Sequence, residues 1–435
     1  MNTELSSIEP FEIAFIRPPT ENQSLAFRLT RNCYWNHCAF CPVYKFGSRF
    51  SKRTFEEVQK DIQHAAKLDQ LLEAQLGWDA DLFPKTGRAW YQEAAQLIDQ
   101  INAARKQAGH EAPPAASEPD PSVAGDPVLS WFLQWVKERP TIEDAVNHLL
   151  AWRMAGKTNC FLGDADALIL KSRFVDAVIA EIKTHFPSIE RFTVYGRTAT
   201  AARLRSLDDL RAYRKTGLNR VHFGIESGSD RVLKFVKKGE TREDHIEGCQ
   251  KTKSAGLSCS VYVMPGLGGV ECSEEHARET ASVLSGIEPD YIRLRSLEIF
   301  PQTPLAQARD NGDFTEADED QVVQEIRTLV SEIQGNTMLL SDSASNLLDI
   351  NGHLPADRES MLKRIDAYLD MPERERRLYS LKSRINAFEG QYGGLSEDIY
   401  NALSPYIKGG GLNLDEIPSG EAARITKHIR AKLMP

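Results

Sequence analysis
The chain has 435 residues, 41% hydrophobic and 26% charged, the balance of a globular protein long enough for one large domain or two ordinary ones. Its formal charge of −9 argues against a general nucleic-acid binder and leaves room only for a local basic groove, so nucleic acid is not expected as a partner. No apolar run approaches the roughly 20 residues that span a bilayer, and the N-terminal stretch lacks the basic and apolar parts of a secretory signal, so a cytoplasmic protein with no membrane partner is expected.

Residues 24–30, SLAFRLT, read as a strand, and RNCYWNHCAFCPVYK (31–45) follows it directly, with Cys33, Cys38 and Cys41 at C-x4-C-x2-C spacing. A helix is predicted from Thr54 and Glu57, which form a capping box, with Phe55, Val58, Ile62 and Ala66 on its apolar face. Helical patterns recur at 91–107 and 128–156, separated by a proline-, alanine- and acid-rich linker at 109–127. Residues 55–157 are therefore expected to be a mostly helical insertion, either a lid or a plain extension.

From 158 onward, short β-type runs alternate with helical ones. NCFLGD (159–164), RFTVYG (191–196), RVHFGI (220–225), SCSVYVM (258–264) and DYIRLRSLEIF (290–300) are the strands. Thr241 with Asp244 marks a helix start, and Gly217 and Gly256 mark helix ends. With residues 24–30 this makes six strands, predicting an α/β fold: a partial (β/α)6 TIM-type barrel, with a doubly wound sheet as the main competitor. The expected divisions are 1–54 (first strand and cysteine loop), 55–157 (insertion), 158–310 (the rest of the barrel) and 311–435 (a helical C-terminal extension). The cysteine loop leaves the C-terminal end of a strand, where parallel barrels carry their active sites.

Seven cysteines, three of them clustered, indicate reduced thiols used for chemistry. Zinc could take the three with His37, but His37 and Cys38 are adjacent, and the other four cysteines supply no second ligand pair. An iron–sulfur cluster accepts thiolates from one short loop. Three cysteines would leave one iron of a cubane open to substrate or cofactor.

These residues resemble the radical S-adenosylmethionine (SAM) superfamily, whose usual signature is C-x3-C-x2-C with an aromatic residue before the last cysteine. The extra residue here, with the CxWNxCxFC wording and the upstream IRPPTE (16–21), is similar to an uncharacterised subgroup. FLGDADALIL (161–170), GIESGSDRVLKFVKKGET (224–241), VYVMPGLGG (261–269) and PDYIRLRSLEIFPQTPLAQ (289–307) resemble barrel motifs of the branch with tRNA methylthiotransferases and coproporphyrinogen dehydrogenases. The resemblance implies that Cys33, Cys38 and Cys41 hold a [4Fe-4S] cluster whose open iron chelates SAM. It implies that Phe40 packs near cluster or adenine, that Gly163 and Asp164, with Asp166, meet the SAM amino group, and that Glu226 and Ser227 meet the ribose. Lys238, with Lys237 as its rival on spacing, would face the SAM carboxylate, Met264 would lie near adenine, and Arg197, Arg293 and Arg295 would bind substrate or SAM. It also implies a small-molecule or peptide substrate and a one-electron donor such as flavodoxin or ferredoxin. The competing readings are a non-catalytic cluster- or cofactor-delivery protein and an RNA-modifying enzyme. No second hydrogen donor is assigned.

Overall fold
The structure, a computed structural model, describes residues 2–45, 49–76, 87–110, 128, 130–131, 140–409 and 411–433. The main sheet has eight strands in sequential order. They are β1 Leu25–Arg28, β2 Asn159–Gly163, β3 Arg191–Gly196, β4 Leu218–Glu226, β5 Ser258–Val263, β6 Tyr291–Leu294, β7 Thr337–Leu340 and β8 Gly352–Leu354. Neighbours from β1 to β7 are parallel, and β8 returns antiparallel to β7. β1 and β8 are the two edges, so the barrel is open.

The six predicted strands are all present, but the sheet runs on by two. β7 and β8 lie within 311–435, where only helix was expected. TMLL and GHL lie in a polar, helix-rich stretch, and their strand character comes from pairing with β6 and each other.

Helices Ser172–His185, Leu207–Thr216, Arg242–Ser254 and Ser273–Ile287 cover the outer face. Their boundaries are set locally. Ser206 with Asp209 and Thr241 with Asp244 form complete capping boxes, and Gly217 ends its helix at a φ of 109°. Outward-facing Phe192, Val194, Val221, Phe223, Val261 and Ile292 are wholly buried against those helices. The alternate residues face the barrel axis and include Thr193, His222, Ser260 and Arg293, also buried. Parallel sheets covered on both faces are usually apolar on both; this one has a polar interior.

Between β1 and β2 the described residues form helices Phe55–Leu76, Gly87–Gln107 and Ile142–Met154. Thr54 and Glu57 make the expected reciprocal cap, at 2.7 and 3.2 Å. The expected linker lies outside the described residues from 111 onward. Beyond the barrel, helices Glu373–Tyr392 and Ser419–Arg430 share an apolar cluster of Leu381, Phe388, Ile425 and Ile429. Among the described residues no helix is long and apolar enough to cross a membrane.

Candidate active site
The cysteine loop is pinched at its base by Thr30–Arg31, which pairs antiparallel with Ser51–Lys52. Asn32 and Asn36 take positive φ, 64° and 41°, and reverse the chain within the loop. Asn32 Oδ1 accepts from the Cys33 N–H at 2.5 Å, and Lys45 Nζ donates to the Asn36 carbonyl at 2.6 Å. The loop is tied to the barrel mouth by hydrogen bonds, among them one between Tyr34 Oη and Thr200 Oγ1 (3.1 Å). Ala39 N–H donates to the Val236 carbonyl (2.8 Å), Leu305 N–H donates to the Ala39 carbonyl (3.0 Å), and Trp35 Nε1 donates to the Lys237 carbonyl (2.9 Å).

Trp35, the tryptophan of the CxWNxCxFC wording, fastens the loop. Its ring lies where a side chain on Gly239 would be, since a Cβ there would fall 2.1 Å from Cζ2, and Gly239 has a φ of +71°. Arg197 lies 5.0 Å from the same ring and 5.7 Å from Tyr34, and His37, which is exposed, meets Trp35 edge-on at 5.1 Å. Gly239→Ala is expected to expel Trp35, destabilise the protein by about 2 kcal/mol, and lower the iron retained after anaerobic reconstitution. Iron retention equal to the native protein's would contradict this role.

The three thiols are close enough to interact electrostatically. Burial pushes Cys38 up to about 11, opposed chiefly by the nearby Lys238 ammonium. Burial also raises Cys41, against backbone N–H groups of Val43 and Tyr44 aimed at its sulfur. Among the described residues no three His, Cys, Asp or Glu side chains converge tightly enough for a single ion. A four-iron cube takes each thiolate on a different iron and needs them spread, with cations and N–H donors to balance its charge. The donor set therefore fits a cluster better than a zinc ion, and the exposed His37 does not complete a fourth ligand.

Beside the thiols is a buried charge network on the segment after β4. Lys238 Nζ lies 3.3 Å from Glu226 Oε1 and 3.4 Å from Glu240 Oε2, and Arg197 Nη2 lies 3.5 Å from the same Glu240 oxygen. Arg197 also donates to the Lys238 carbonyl at 2.6 Å. Glu240 carries no motif signal of its own beyond lying two residues from Lys238 in KKGET.

The other predicted positions divide into groups. Asp164 is paired with Arg28 (2.7 Å) beside Gly163, where a Cβ would lie 2.5 Å from that of Ala14. Asp166 accepts from Thr200 Oγ1 at 2.5 Å and from Leu168 N–H, and burial pushes its carboxyl up to about 7. Phe40, Met264 and Arg295 border a cavity of about 40 Å³ that also touches Cys41. Ser227 is turned away, with its Oγ 2.8 Å from His276 Nδ1, while His276 Nε2 is 3.1 Å from the Met264 carbonyl. That histidine, unmarked in the sequence, ties the ends of β4 and β5 together. Arg293 sits deeper, bonded to Asp342 (2.6 Å) and Thr20 (2.9 Å).

The chain forms an open, mostly parallel α/β barrel with a thiol-bearing loop at its C-terminal mouth. Residues 133–281 match the radical SAM superfamily, so the chain carries a radical SAM domain; [4Fe-4S] and SAM are that superfamily's cofactors. The match runs from before β2 to the helix after β5 and leaves out the cysteine loop.

Among curated relatives, the tRNA uridine(34) acetyltransferase of Methanocaldococcus infernus is 28% identical over 114 residues, 26% of this chain and 21% of that protein. The tRNA-2-methylthio-N(6)-dimethylallyladenosine synthase of Chloroherpeton thalassium is 30% identical over 127 residues, 29% of this chain and 28% of that protein. The chain thus spans less than a third of either relative. Among solved structures, archaeal Elp3 of Methanocaldococcus infernus aligns at a TM-score of 0.39 and 16% identity, covering 51% of this chain and 57% of that one. Coproporphyrinogen III oxidase of Escherichia coli aligns at 0.30 and 14% identity, covering 63% and 77%. These structural likenesses are slight.

The relatives correct one expectation. The formal charge of −9 speaks against nucleic acid as a partner, but the relatives described above are named for tRNA. Whole-chain charge is an average and does not report the surface around one site.

Proposed function
We propose that this protein is a cytoplasmic radical SAM enzyme acting on RNA. The observation that carries the reading is the grouping of Cys33, Cys38 and Cys41 at the barrel mouth against Lys238 and Arg197. When bound, the cluster and SAM supply one-electron cleavage of a sulfur–carbon bond and a 5′-deoxyadenosyl radical able to abstract hydrogen from an unactivated carbon.

In this reading the three cysteines hold the cluster and leave one iron position for SAM. Lys238 and Arg197 stand ready for a carboxylate, and their partners Glu226 and Glu240 keep them fixed and charged. Glu226, at a φ of 62° beyond the β4 register shift, offers a carboxylate for sugar hydroxyls. Gly163 and Asp164 supply acceptors for an ammonium, with Arg28 orienting Asp164. Phe40 and Met264 form an apolar wall with Leu297 and exclude water. Arg295, beside Cys41, is available to substrate or cofactor phosphate or carboxylate. A reducing compartment suits such a cluster, hence the cytoplasmic assignment.

RNA replaces the small-molecule or peptide expectation because the two curated relatives are tRNA enzymes. Anaerobic incubation with a chemical reductant and SAM is expected to release 5′-deoxyadenosine, and total tRNA is expected to raise the rate. A cluster whose electron paramagnetic resonance spectrum ignores SAM would replace this reading with a non-catalytic cluster-delivery role.

A further inference from the structure
Beyond β6 the chain continues as residues 295–298, which border the small cavity beside Cys41. One side of this segment is held by the sheet. The N–H groups of Arg295 and Leu297 donate to the carbonyls of Val263 and Pro265 at 3.0 and 2.9 Å. The other side has no strand beside it, because the pairing of β6 with β7 ends at Arg293 and Leu340. Side chains from the C-terminal extension take the place of a strand there. Asn346 Oδ1 accepts from the Ser296 N–H and Oγ, both at 3.0 Å, and Asn346 Nδ2 donates to the Leu294 carbonyl at 2.7 Å. Further along, Arg430 Nη2 donates to the Leu297 carbonyl at 3.3 Å, and Arg430 Nε donates to Glu298 Oε2 at 3.0 Å.

Arg430 comes from the helix Ser419–Arg430, 132 residues away from the carboxylate it holds. It belongs to a largely buried ion group. Its guanidinium lies 3.7 Å from Glu316 and 4.0 Å from Glu319, and Glu319 pairs with Arg384 at 2.7 Å. Arg384 in turn donates to the carbonyls of Ala344 and Asn346 at 3.0 and 2.9 Å, bracing the loop that carries the other clamp. Three carboxylates thus share two guanidinium groups. Burial pushes the Glu298 carboxyl up, Arg430 is the chief influence against that rise, and Glu316 adds to it. An exposed ion pair would fix little. This one joins a charge-assisted bond to a backbone carbonyl on the wall of the site, which fixes where that wall stands.

We infer that Arg430 is a positioning residue: through Glu298 and the Leu297 carbonyl it holds residues 295–298 against the cysteine loop, in the arrangement on which SAM binding depends. What it holds in place is chemically pertinent. Arg295 is close enough to Cys41 to oppose the rise of its thiol, and Leu297 packs in one apolar group with Ala39 and Met264. The C-terminal extension then acts on the site without entering it. The inference rests on the reading of the mouth as the SAM site.

The test compares Arg430→Met, which keeps the bulk and removes the charge and both bonds, with Arg430→Lys, which keeps the charge. Amide hydrogen exchange over residues 294–300 is measured on the cluster-free protein. SAM is then titrated into the reconstituted, reduced protein and followed by electron paramagnetic resonance. Arg430→Met is expected to fold and to retain iron as the native protein does, because the thiol ligands lie on another loop. Its exchange over 294–300 is expected to rise about 10-fold, and half-saturation by SAM to need about 10-fold more ligand, with Arg430→Lys between it and the native protein. Should Arg430→Met fail to fold, Arg430→Lys alone decides by the same two readouts. Unchanged exchange in a folded variant would overturn the inference. So would faster exchange with unchanged SAM affinity, which would make the ion group purely structural. If the native spectrum ignores SAM while exchange still rises in Arg430→Met, the reading of the mouth falls and the hold of Arg430 on residues 295–298 stands.

Discussion

Replacing Cys38 with alanine is expected to leave a folded protein that retains no cluster iron after anaerobic reconstitution and forms no 5′-deoxyadenosine above background. The loop does not depend on its thiols for shape. Ala39 is bonded on both sides, to Val236 and Leu305, Trp35 is bonded to Lys237, and the Thr30–Arg31 pairing closes the base. The half-buried Cys38 side chain is not part of the core, so the expected stability change is within about 1 kcal/mol. Cys259→Ala is the control. Cys259 is wholly buried on the outward face of β5, and its loss is expected to cost about 1 kcal/mol or more while iron is retained. Urea unfolding and iron analysis on the two variants separate a ligand thiol from a packing thiol. Retained iron in Cys38→Ala, or lost iron in Cys259→Ala, would refute the assignment.

Glu240→Gln is expected to cost about 3 kcal/mol at neutral pH, because it leaves buried Arg197 without its carboxylate partner and Lys238 with Glu226 alone. The Glu240 carboxylate is wholly buried. Oε1 accepts from Thr198 Oγ1 (2.9 Å) and from Ala199 N–H (2.8 Å), and Oε2 stands between Lys238 and Arg197. Burial alone would raise its pKa, but the Coulomb attraction of Lys238, then of Arg197, overrides this and lowers it from 4.5 to about 2. A carboxylate depressed in the folded state contributes stability that is fully present above its unfolded pKa and is lost as pH falls through its folded one. The contribution should therefore hold at pH 7 and fade between about 4.5 and 2, by about 3 kcal/mol. Urea titrations of native and variant protein at pH 7 and pH 3 should show the gap between them narrowing. An equal gap at both would mean that the variant suffers from altered packing and not from lost charge.

The parts of the fold that were legible in advance are those specified by neighbouring residues. Thr54 with Glu57, Thr241 with Asp244 and the glycines at 217 and 256 act within one turn of chain, so their effect is written locally. The β-type runs of β2 to β6 stand between recognisable helical patterns, which marks them as strands in the sequence. β7 and β8 lie in a polar, helix-rich stretch, and they became strands only by pairing at the sheet edge. In the site, the cysteine spacing was readable because one short loop carries all three thiols. Ser227 and Arg293 were placed by motif and by alternation, but what each side chain touches depends on His276 and on Asp342, both 49 residues away.

The sequence alone therefore determined the thiol loop, the parallel alternation that puts this loop at a barrel mouth, and the helix boundaries around it. Each follows from residues within a few positions of one another. Tertiary structure decided the rest: the Trp35 ring over Gly239, the sharing of Glu240 by Lys238 and Arg197, and the polar interior of the barrel. Those contacts join side chains from different strands and loops. Whether a buried charge or hydroxyl is paired, and hence what it can do, is fixed only once the barrel brings these segments together.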